Sequence, residues 1–402
     1  MPCAENAACD SIISCEDALI RSESELSMKL PLLALTSLLT VAFSCAASLV
    51  FAAAPAPPSL EQDAAAKNYI FFPSHEAIVA GAKKEGKLRV SSGLEMPNFK
   101  PWMNAFKQRY PFITDIHVEE VVGSEGHQRF ILEIKSGQAK GWDVIPVNID
   151  FYPEYVPYLM RHDILGMAKQ GVLKIDPRMI EPVNRNMIAP TSVLSAVTYN
   201  RALISEDKVP TTWEGFLKPE LKGKKFALLL RPSWLASLVP AWGLERTLDF
   251  ARRIPAQQPI WLSGGGGRAN TGVASGEYPI YLGSNYSGVR RAMMRRDPTM
   301  NLNYKVPQPT PLRAFQDGIG ILSTAEHPCA ALLWLEFLAS PEGQEIIDKY
   351  EPLKASVFTA NSAIAQEVRG KELSVVDWHH FAKFQEYSEK IIEALGFPKA
   401  DK

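Results

Sequence analysis

The chain has 402 residues and a net charge of −1, with 22% charged and 46% hydrophobic residues. This balance is typical of a globular protein and argues against a strongly basic nucleic-acid binder. Residues 1–27 contribute −5 and Lys29 contributes +1, so residues 30–402 carry +3. A charge this near zero also argues against strong attraction to a membrane surface, and the length suffices for two lobes of domain size.

An apolar run over residues 30–51 follows the positive charge of Lys29 and ends in small residues. A positive start, an apolar centre and a small-residue cleavage site predict a secretory signal peptide, cleaved near Ala53 or Ala54. We therefore expect a periplasmic protein. An uncleaved membrane anchor is the alternative, because the run is long enough to span a bilayer.

The segment before the signal does not fit an export leader. Residues 1–27 carry six acidic groups and one basic group, so we interpret them as a gene-model extension and Met28 as the true start. Four of the five cysteines lie before residue 46, which leaves Cys329 alone in the exported part. The exported part is therefore expected to fold without an internal disulfide.

The first part of the exported chain alternates helix and strand patterns in the order β-α-β-α-β. This order predicts an α/β sheet with helices on its faces, in which ligands bind beyond the carboxyl ends of the strands. The predicted elements are a helix capped by Ser74 and stopped by Gly86, a strand at Lys87–Ser92, a helix over 97–110, a strand over 116–122, a helix with Ser124 as its N-cap, and a strand over 143–147.

The second part begins with an extended run over 195–200 and continues the α/β alternation. The predicted elements are strands over 224–230 and 278–282, helices over 244–254 and 268–275, an extended segment over 318–322, helices from 327 and from Pro341, and one terminal helix over 378–395. No internal repeat or low-complexity tract interrupts this order.

Four segments carry a family resemblance. They are KKEGKLRVSSG, MNAFKQRYPFI, VPTTWEGFLKPELKGKKFAL and AEHPCAALLWLEFLASPEGQEII. In this order they resemble the extracellular solute-binding proteins of bacterial ABC importers, in the branch that includes ferric-ion, thiamine, polyamine and phosphonate binders. The resemblance covers nearly all of residues 70–350. It implies a two-lobed periplasmic-binding-protein fold of type 2, with hinge strands crossing between the lobes near 196–200 and 304–314.

The resemblance also implies how the chain is divided. Lobe 1 comprises residues 55–195 and a return over 306–350, and lobe 2 comprises 196–305. Residues 28–54 form the signal peptide. The C-terminal part, 351–402, is predicted as helices whose lobe stays open.

Polar residues that follow the first three predicted strands are candidate ligand contacts, because strand ends share one rim of the sheet. The alternatives are ordinary turn chemistry, a helix cap and solvated loops. The candidates are Ser91, Ser92, Ser124, Glu125, Asn148 and Asp150.

Four consecutive glycines precede Arg268. Glycines allow close backbone approach, so this loop can cradle an anionic group with Arg268 as a bidentate partner. The loop is not a phosphate-binding P-loop, because no Gly-Lys-Ser/Thr follows. Arg231, after the predicted strand over 224–230, is a similar candidate. The alternative for the glycines is a flexible connector.

Asn285 and Tyr286 follow a strand where the resemblance places ligand contacts. Ferric binders of this family show two adjacent tyrosines there, whereas Ser287 follows Tyr286 here. Asn148 also stands where an acidic ligand is expected. Tyr286 is therefore a metal ligand only if the cargo is iron, and otherwise an aromatic wall or hydrogen-bond partner of an organic solute.

We predict a periplasmic component of an ABC importer that captures a small polar solute, with an anionic one favoured. It closes by a hinge motion and delivers the solute to the membrane permease, with no cofactor, no catalytic residue and no nucleic acid, as a monomer. The alternatives are a ferric-ion carrier, an exported enzyme and a membrane-tethered sensor. No nucleophile–base spacing or zinc motif supports an enzyme.

Overall fold

The computed structural model describes residues 59–93, 99–121, 123–148, 151–294, 301–350 and 353–397. The predicted leader and signal peptide lie outside these residues. Within the described part, no helix combines the length and the apolar character needed to cross a bilayer.

The described chain is an α/β protein with two sheets. The strands are β1 (Lys87–Ser92), β2 (Asp115–Glu120), β3 (Val144–Asn148), β4 (Met187–Ile188), β5 (Val193–Asn200), β6 (Ala227–Leu229), β7 (Ile260–Leu262), β8 (Ile280–Asn285), β9 (Leu302–Lys305), β10 (Thr310–Arg313), β11 (Asp317–Ile321) and β12 (Leu373–Val376). The helices are α1 (Leu60–Ala66), α2 (His75–Glu85), α3 (Phe99–Arg109), α4 (Gly123–Lys135), α5 (Tyr152–Tyr155), α6 (Ile164–Lys169), α7 (Val239–Trp242), α8 (Leu244–Arg253), α9 (Gly266–Ser275), α10 (Tyr286–Met294), α11 (Pro328–Ala339), α12 (Pro341–Tyr350), α13 (Ala363–Glu367), α14 (Trp378–Phe381) and α15 (Phe384–Ala394).

The first helix-to-strand step forms as its sequence predicts. The Ser74 hydroxyl accepts a hydrogen bond from the backbone N–H of Ala77 and so caps α2. Gly86 ends the helix in the left-handed region, at φ 63°. The predicted strand Lys87–Ser92 is β1, with the same bounds.

The first sheet has the strand order β2-β1-β3-β11-β4. β1 is parallel to β2 and β3, and β11 is antiparallel to β3 and β4. Helix α11 is apolar on all sides and buried from Cys329 to Ala339, as expected for a helix inside a core. The Phe106 ring meets the Trp334 ring edge-on, with centroids 4.9 Å apart, and so joins α3 to α11.

The second sheet has the order β12-β10-β5-β8-β6-β7, with β9 also paired to β5. β5 is its centre, because it is antiparallel to β8, β9 and β10 and every one of its residues is buried. On this sheet the rings of Trp213 and Trp234 pack with centroids 4.3 Å apart. Each sheet therefore has its own apolar core, which is the arrangement expected of two lobes.

The chain passes between the sheets three times: at two short linkers, residues 189–192 and 314–316, and over the long segment 322–372 between β11 and β12. The expected crossing strand at 196–200 is corrected by this topology, because that run belongs to β5 along its whole length. The expected second crossing over 304–314 consists mostly of β9 and β10, and both are strands of the second sheet. The chain therefore returns to the first sheet at β11, which begins at Asp317, whereas the predicted return to the first lobe begins at residue 306.

The C-terminal part is not purely helical. Residues 373–376 form β12, which pairs in parallel with β10 at the edge of the second sheet. The predicted single helix over 378–395 is two helices, α14 and α15. The interruption has a packing reason: Trp378 in α14 stacks on Phe315, whereas Phe384 and Ile391 in α15 join the core of the second sheet.

A buried histidine makes the stability of the first lobe depend on pH. His162 is 1% exposed, and burial lowers its pKa from 6.5 to about 4 because the imidazolium cannot be solvated. The pKa is lower in the folded state than in the unfolded one. The stability contribution is therefore present above pH 6.5 and lost as the pH falls toward 4.

We expect the free energy of unfolding to fall by about 2 kcal/mol between pH 7 and pH 5 because of this one group. Urea denaturation of the wild type and of His162→Leu at several pH values measures the effect. The loss should disappear in His162→Leu and persist in the exposed control His379→Gln. If the free energy of unfolding of His162→Leu depends on pH as that of the wild type does, the dependence arises from other groups.

Candidate functional site

The two linkers lie side by side and are bonded to each other. The Ser192 hydroxyl donates to the carbonyl oxygen of Ala314 at 2.8 Å, and the Gln316 N–H donates to the carbonyl oxygen of Thr191 at 2.9 Å. Phe315 stacks on Trp378 with ring centroids 3.7 Å apart. Two adjacent short connections of this kind can act as a hinge, and the longer passage from β11 to β12 is the third backbone connection between the sheets.

The hinge fixes which edges of the sheets meet. In the first sheet, β1 and β3 end, and β11 begins, at the edge next to the linkers. In the second sheet, β6, β7 and β8 end, and β5 begins, at the corresponding edge. We call these edges the first rim and the second rim. The cleft between them is the candidate site, as expected for ligands beyond the carboxyl ends of strands.

The first rim contains several predicted contacts. Ser91 and Ser92 end β1, are 2% and 8% exposed, and line a small cavity together with Trp102. Asn148 ends β3, is half-buried and lies opposite Asp317 of β11. These side chains are held on strands, so their positions are fixed by the sheet.

Helix α4 begins on the same rim. Glu125 lies in its first turn and is exposed. The expected N-cap at Ser124 is corrected, since α4 already begins at Gly123 and Ser124 lies within its first turn. The side chain of Ser124 and the whole of Asp150 lie outside the described residues.

His127 is a candidate contact on α4 that sequence reasoning missed. Its Nδ1 is buried and makes no hydrogen bond with the part of the chain that the structure describes. Burial lowers the pKa of His127, and the nearby Asp317 carboxylate opposes that shift in part. The neutral imidazole is therefore favoured. A lone histidine in an amphipathic helix gives no sequence signal that separates it from an ordinary helix residue.

The second rim brings the two predicted arginines to the ends of neighbouring strands. β6 and β7 pair in parallel with Leu229 opposite Leu262. Arg231 lies in the loop after β6, and Arg268 lies in the first turn of α9, which follows β7. Both arginines are exposed, and neither forms an ion pair with another described residue. Two guanidinium groups after neighbouring strands, without an ion-pair partner among the described residues, provide donors for an anion.

The glycine loop is anchored from behind. Gly264 has φ 101°, a conformation that other residues rarely adopt, and α9 begins at Gly266. In α9, the side-chain oxygen Oδ1 of Asn270 accepts hydrogen bonds from the hydroxyls of Thr198 and Ser284 at 3.1 and 2.9 Å. These buried bonds tie α9 to β5 and β8, so Arg268 projects from a supported helix.

Asn285 lies at the end of β8 on this rim and is half-buried. Its side-chain oxygen accepts from the Ser287 N–H and hydroxyl, at 3.1 and 2.8 Å. Its Nδ2 makes no hydrogen bond with the described chain and remains available as a donor.

Tyr286 is directed into the core of the second lobe. It is 3% exposed, its ring meets Tyr304 edge-on at 5.5 Å, and it packs with Val306 and Leu312. Burial raises the pKa of Tyr286, and the nearby Tyr304 and the Glu367 carboxylate add to the shift. The structure thus brings the other described candidates to the two rims and leaves Tyr286 behind the second one.

The two rims differ in charge. The first carries the carboxyl groups of Glu125 and Asp317, whereas the second carries Arg231 and Arg268. A solute between them therefore meets cationic donors on one side and neutral or acidic groups on the other. No group of three His, Cys, Asp or Glu side chains able to hold a metal ion occurs among the described residues.

Comparisons with known proteins agree with this architecture. The iron- and citrate-bound IdiA (FutA) of Trichodesmium superposes with a TM-score of 0.60 at 18% identity, covering 78% of this chain and 100% of that one. Iron-bound HitA of Pseudomonas aeruginosa gives 0.52 at 17%, covering 77% and 99%. An ABC-transporter substrate-binding protein of Agrobacterium tumefaciens gives 0.57 at 18%, covering 77% and 95%. At these identities the likeness shows the fold alone.

No curated protein matches the sequence. The family profile described as bacterial extracellular solute-binding protein matches residues 102–374, which include both linkers and all strands from β2 to β11. The chain belongs to the bacterial extracellular solute-binding protein family.

Proposed function

We propose that this protein is the periplasmic receptor of an ABC importer for a small polar solute with an anionic group. It binds the solute between the two rims and closes about the linkers. The closed form presents the solute to a membrane permease, and no bond of the solute is made or broken. The protein acts as a monomer after a signal peptide is removed near Ala53 or Ala54.

The observation that carries this proposal is the pair of unpaired arginines on the second rim. Arg231 lies in the loop after β6 and Arg268 in the first turn of α9, after the neighbouring strand β7, so we expect one anionic group to contact both. In the unliganded protein water solvates the exposed guanidinium groups, so leaving them unpaired costs little free energy. Their hydrogen bonds to an anion become stronger when closure removes that water.

Closure requires that the solute bind the shut form better than the open one. Contacts from only one rim cannot provide this difference. The donor Nδ2 of Asn285 and the arginines belong to the second rim, whereas Ser92, Asn148 and Glu125 belong to the first. A solute that spans the cleft therefore bonds to both lobes only when they are shut.

The iron alternative conflicts with the placement of Tyr286. Ferric ion favours anionic oxygen donors such as phenolate, and Tyr286 is buried in surroundings that raise its pKa and so disfavour the phenolate. We expect that adding ferric ion produces no visible charge-transfer band. A band that is lost in Tyr286→Phe would instead establish a ferric-ion carrier.

Native mass spectrometry of the protein purified from its own periplasm tests the proposal. We expect a co-bound small anion and a smaller radius of gyration by X-ray scattering when it is present. A ligand at 100 times its dissociation constant should raise the free energy of unfolding by about 2.7 kcal/mol. A solute that is chemically altered on incubation would identify an enzyme, and an unchanged radius with bound solute would contradict closure.

A further inference from the structure

A cavity of about 390 Å³ lies on the first lobe, away from the cleft. It is lined by Asn186, which precedes β4, and by Ser323, which follows β11. β11 begins at the first rim with Asp317 and runs away from it, so Ser323 lies at the opposite edge of the sheet. A molecule in this cavity therefore does not compete with one in the cleft.

The walls of the cavity are held in an unusual backbone conformation. Asn68 lines it with φ 58°, and Arg185, between the lining residues Asn184 and Asn186, has φ 60°. Such values are uncommon for residues other than glycine and occur often at ligand-binding sites. Ion pairs at 3.1 and 2.9 Å from the Arg185 guanidinium to Asp63 and Asp163 fix this arrangement.

Two amide oxygens in the lining lack donors. Asn186 is 3% exposed, and its Nδ2 donates to the carbonyl oxygen of Met160 at 3.2 Å. Its Oδ1 is buried and accepts no hydrogen bond from the described chain. Asn184 is half-buried and donates from Nδ2 to the Tyr152 hydroxyl at 2.7 Å, and its Oδ1 accepts no hydrogen bond from the described chain. A buried acceptor without a donor is costly, so an N–H group of a ligand would be stabilised here.

Arg161 supplies a cationic hydrogen-bond donor to the same cavity. Its guanidinium donates to the carbonyl oxygens of Lys67 and Asn68 at 2.8 and 3.3 Å and lies over the Tyr69 ring, 4.5 Å from its centroid. Among the described residues, no carboxylate pairs with the guanidinium, and no acceptor takes a hydrogen bond from its Nη1. Carbonyl oxygens fix the orientation of this cation without neutralising it, so it is suited to a carboxylate.

Between these groups the lining is apolar, with Val156, Pro157, Leu159 and Met160. We propose that this cavity is a second binding site, which takes a free α-amino acid with an aliphatic side chain. The ammonium group donates to the amide oxygens of Asn184 and Asn186, the carboxylate accepts from Arg161, and the side chain packs on the apolar wall. The volume is ample for an amino acid of leucine size.

Calorimetric titration of the mature protein with three probes tests each half of this recognition. L-leucine carries both charged groups, 4-methylpentanoate lacks the ammonium, and 3-methylbutylamine lacks the carboxylate. We expect leucine to bind about tenfold or more tighter than either probe, since each loses a charge-assisted hydrogen bond. Equal binding of the three, or no binding of leucine at millimolar concentration, would overturn the proposal.

Variants locate the site. Arg161→Gln changes an exposed side chain and should weaken leucine about tenfold, whereas the matched control Arg252→Gln, an exposed arginine on α8, should bind as the wild type does. Asn186→Leu should abolish leucine binding, provided that its circular dichroism shows it folded. Equal leucine affinity in Arg161→Gln and Arg252→Gln would assign the leucine to another site, including the cleft. Neither result bears on the solute that co-purifies in the cleft, so the proposed function is tested separately.

Discussion

Replacing Arg231 and Arg268 together by glutamine is expected to weaken an anionic solute by about 100-fold to 1,000-fold. The physical reason is that the two guanidinium groups supply the cationic donors of the second rim, and glutamine keeps the length of the side chain without the charge. Calorimetric titration with the solute identified by mass spectrometry measures the loss. Folding should be unaffected, because both side chains are exposed.

The single variants make this prediction sharper. Each alone should cost about tenfold, and a non-additive double variant indicates that both arginines contact one anionic group. Arg252→Gln serves as the control, since it removes one charge from the same lobe at a distance from the rim. If Arg268→Ala binds the solute with wild-type affinity, the glycine loop is not part of the binding site. If the double variant does so, the solute is not held through an anionic group at the second rim.

Gly283→Ala is expected to lower the free energy of unfolding by about 2 to 5 kcal/mol. Gly283 lies in β8 with φ 80°, and a Cβ placed there would overlap the indole of Trp234. The substitution therefore adds a strained backbone and a steric clash in the same core. Urea denaturation, read from the midpoint at an unchanged slope, measures the loss.

Gly276→Ala separates the two causes. Gly276 has nearly the same φ, 81°, but the nearest atom to an added Cβ is the Asn200 Nδ2 at 3.7 Å, an ordinary contact. It should cost only the backbone strain, about 1 to 2 kcal/mol. Equal losses in the two variants would mean that Trp234 moves aside freely, and Trp234 would then not support the end of β8 near Asn285.

The parts that sequence reasoning predicted well depend on local chemistry. The cap at Ser74, the stop at Gly86 and the strand β1 follow from neighbouring residues alone, and each is confirmed. The two-sheet α/β architecture and the solute-binding family follow from the order of several such segments, and both are also confirmed.

The parts that it predicted poorly depend on distant contacts. Residues 196–200 look like any buried extended run, and only the pairing of β5 with three other strands assigns them to the second sheet. Strand β12 has four residues and exists because β10 offers an edge. Tyr286 follows the end of a strand, as a rim residue would, yet its side chain packs in the core with Val306 and Leu312.

The topology of the sheets determines when this chain can finish folding. The first sheet needs β11, at residues 317–321, to join β3 to β4, and the second needs β12, at 373–376, to complete its edge. Neither lobe is one continuous stretch, so a growing chain on the ribosome can complete neither until most of its length has been synthesised. Such late completion would suit the export that we propose, in which the polypeptide stays unfolded until it has been threaded through a membrane channel.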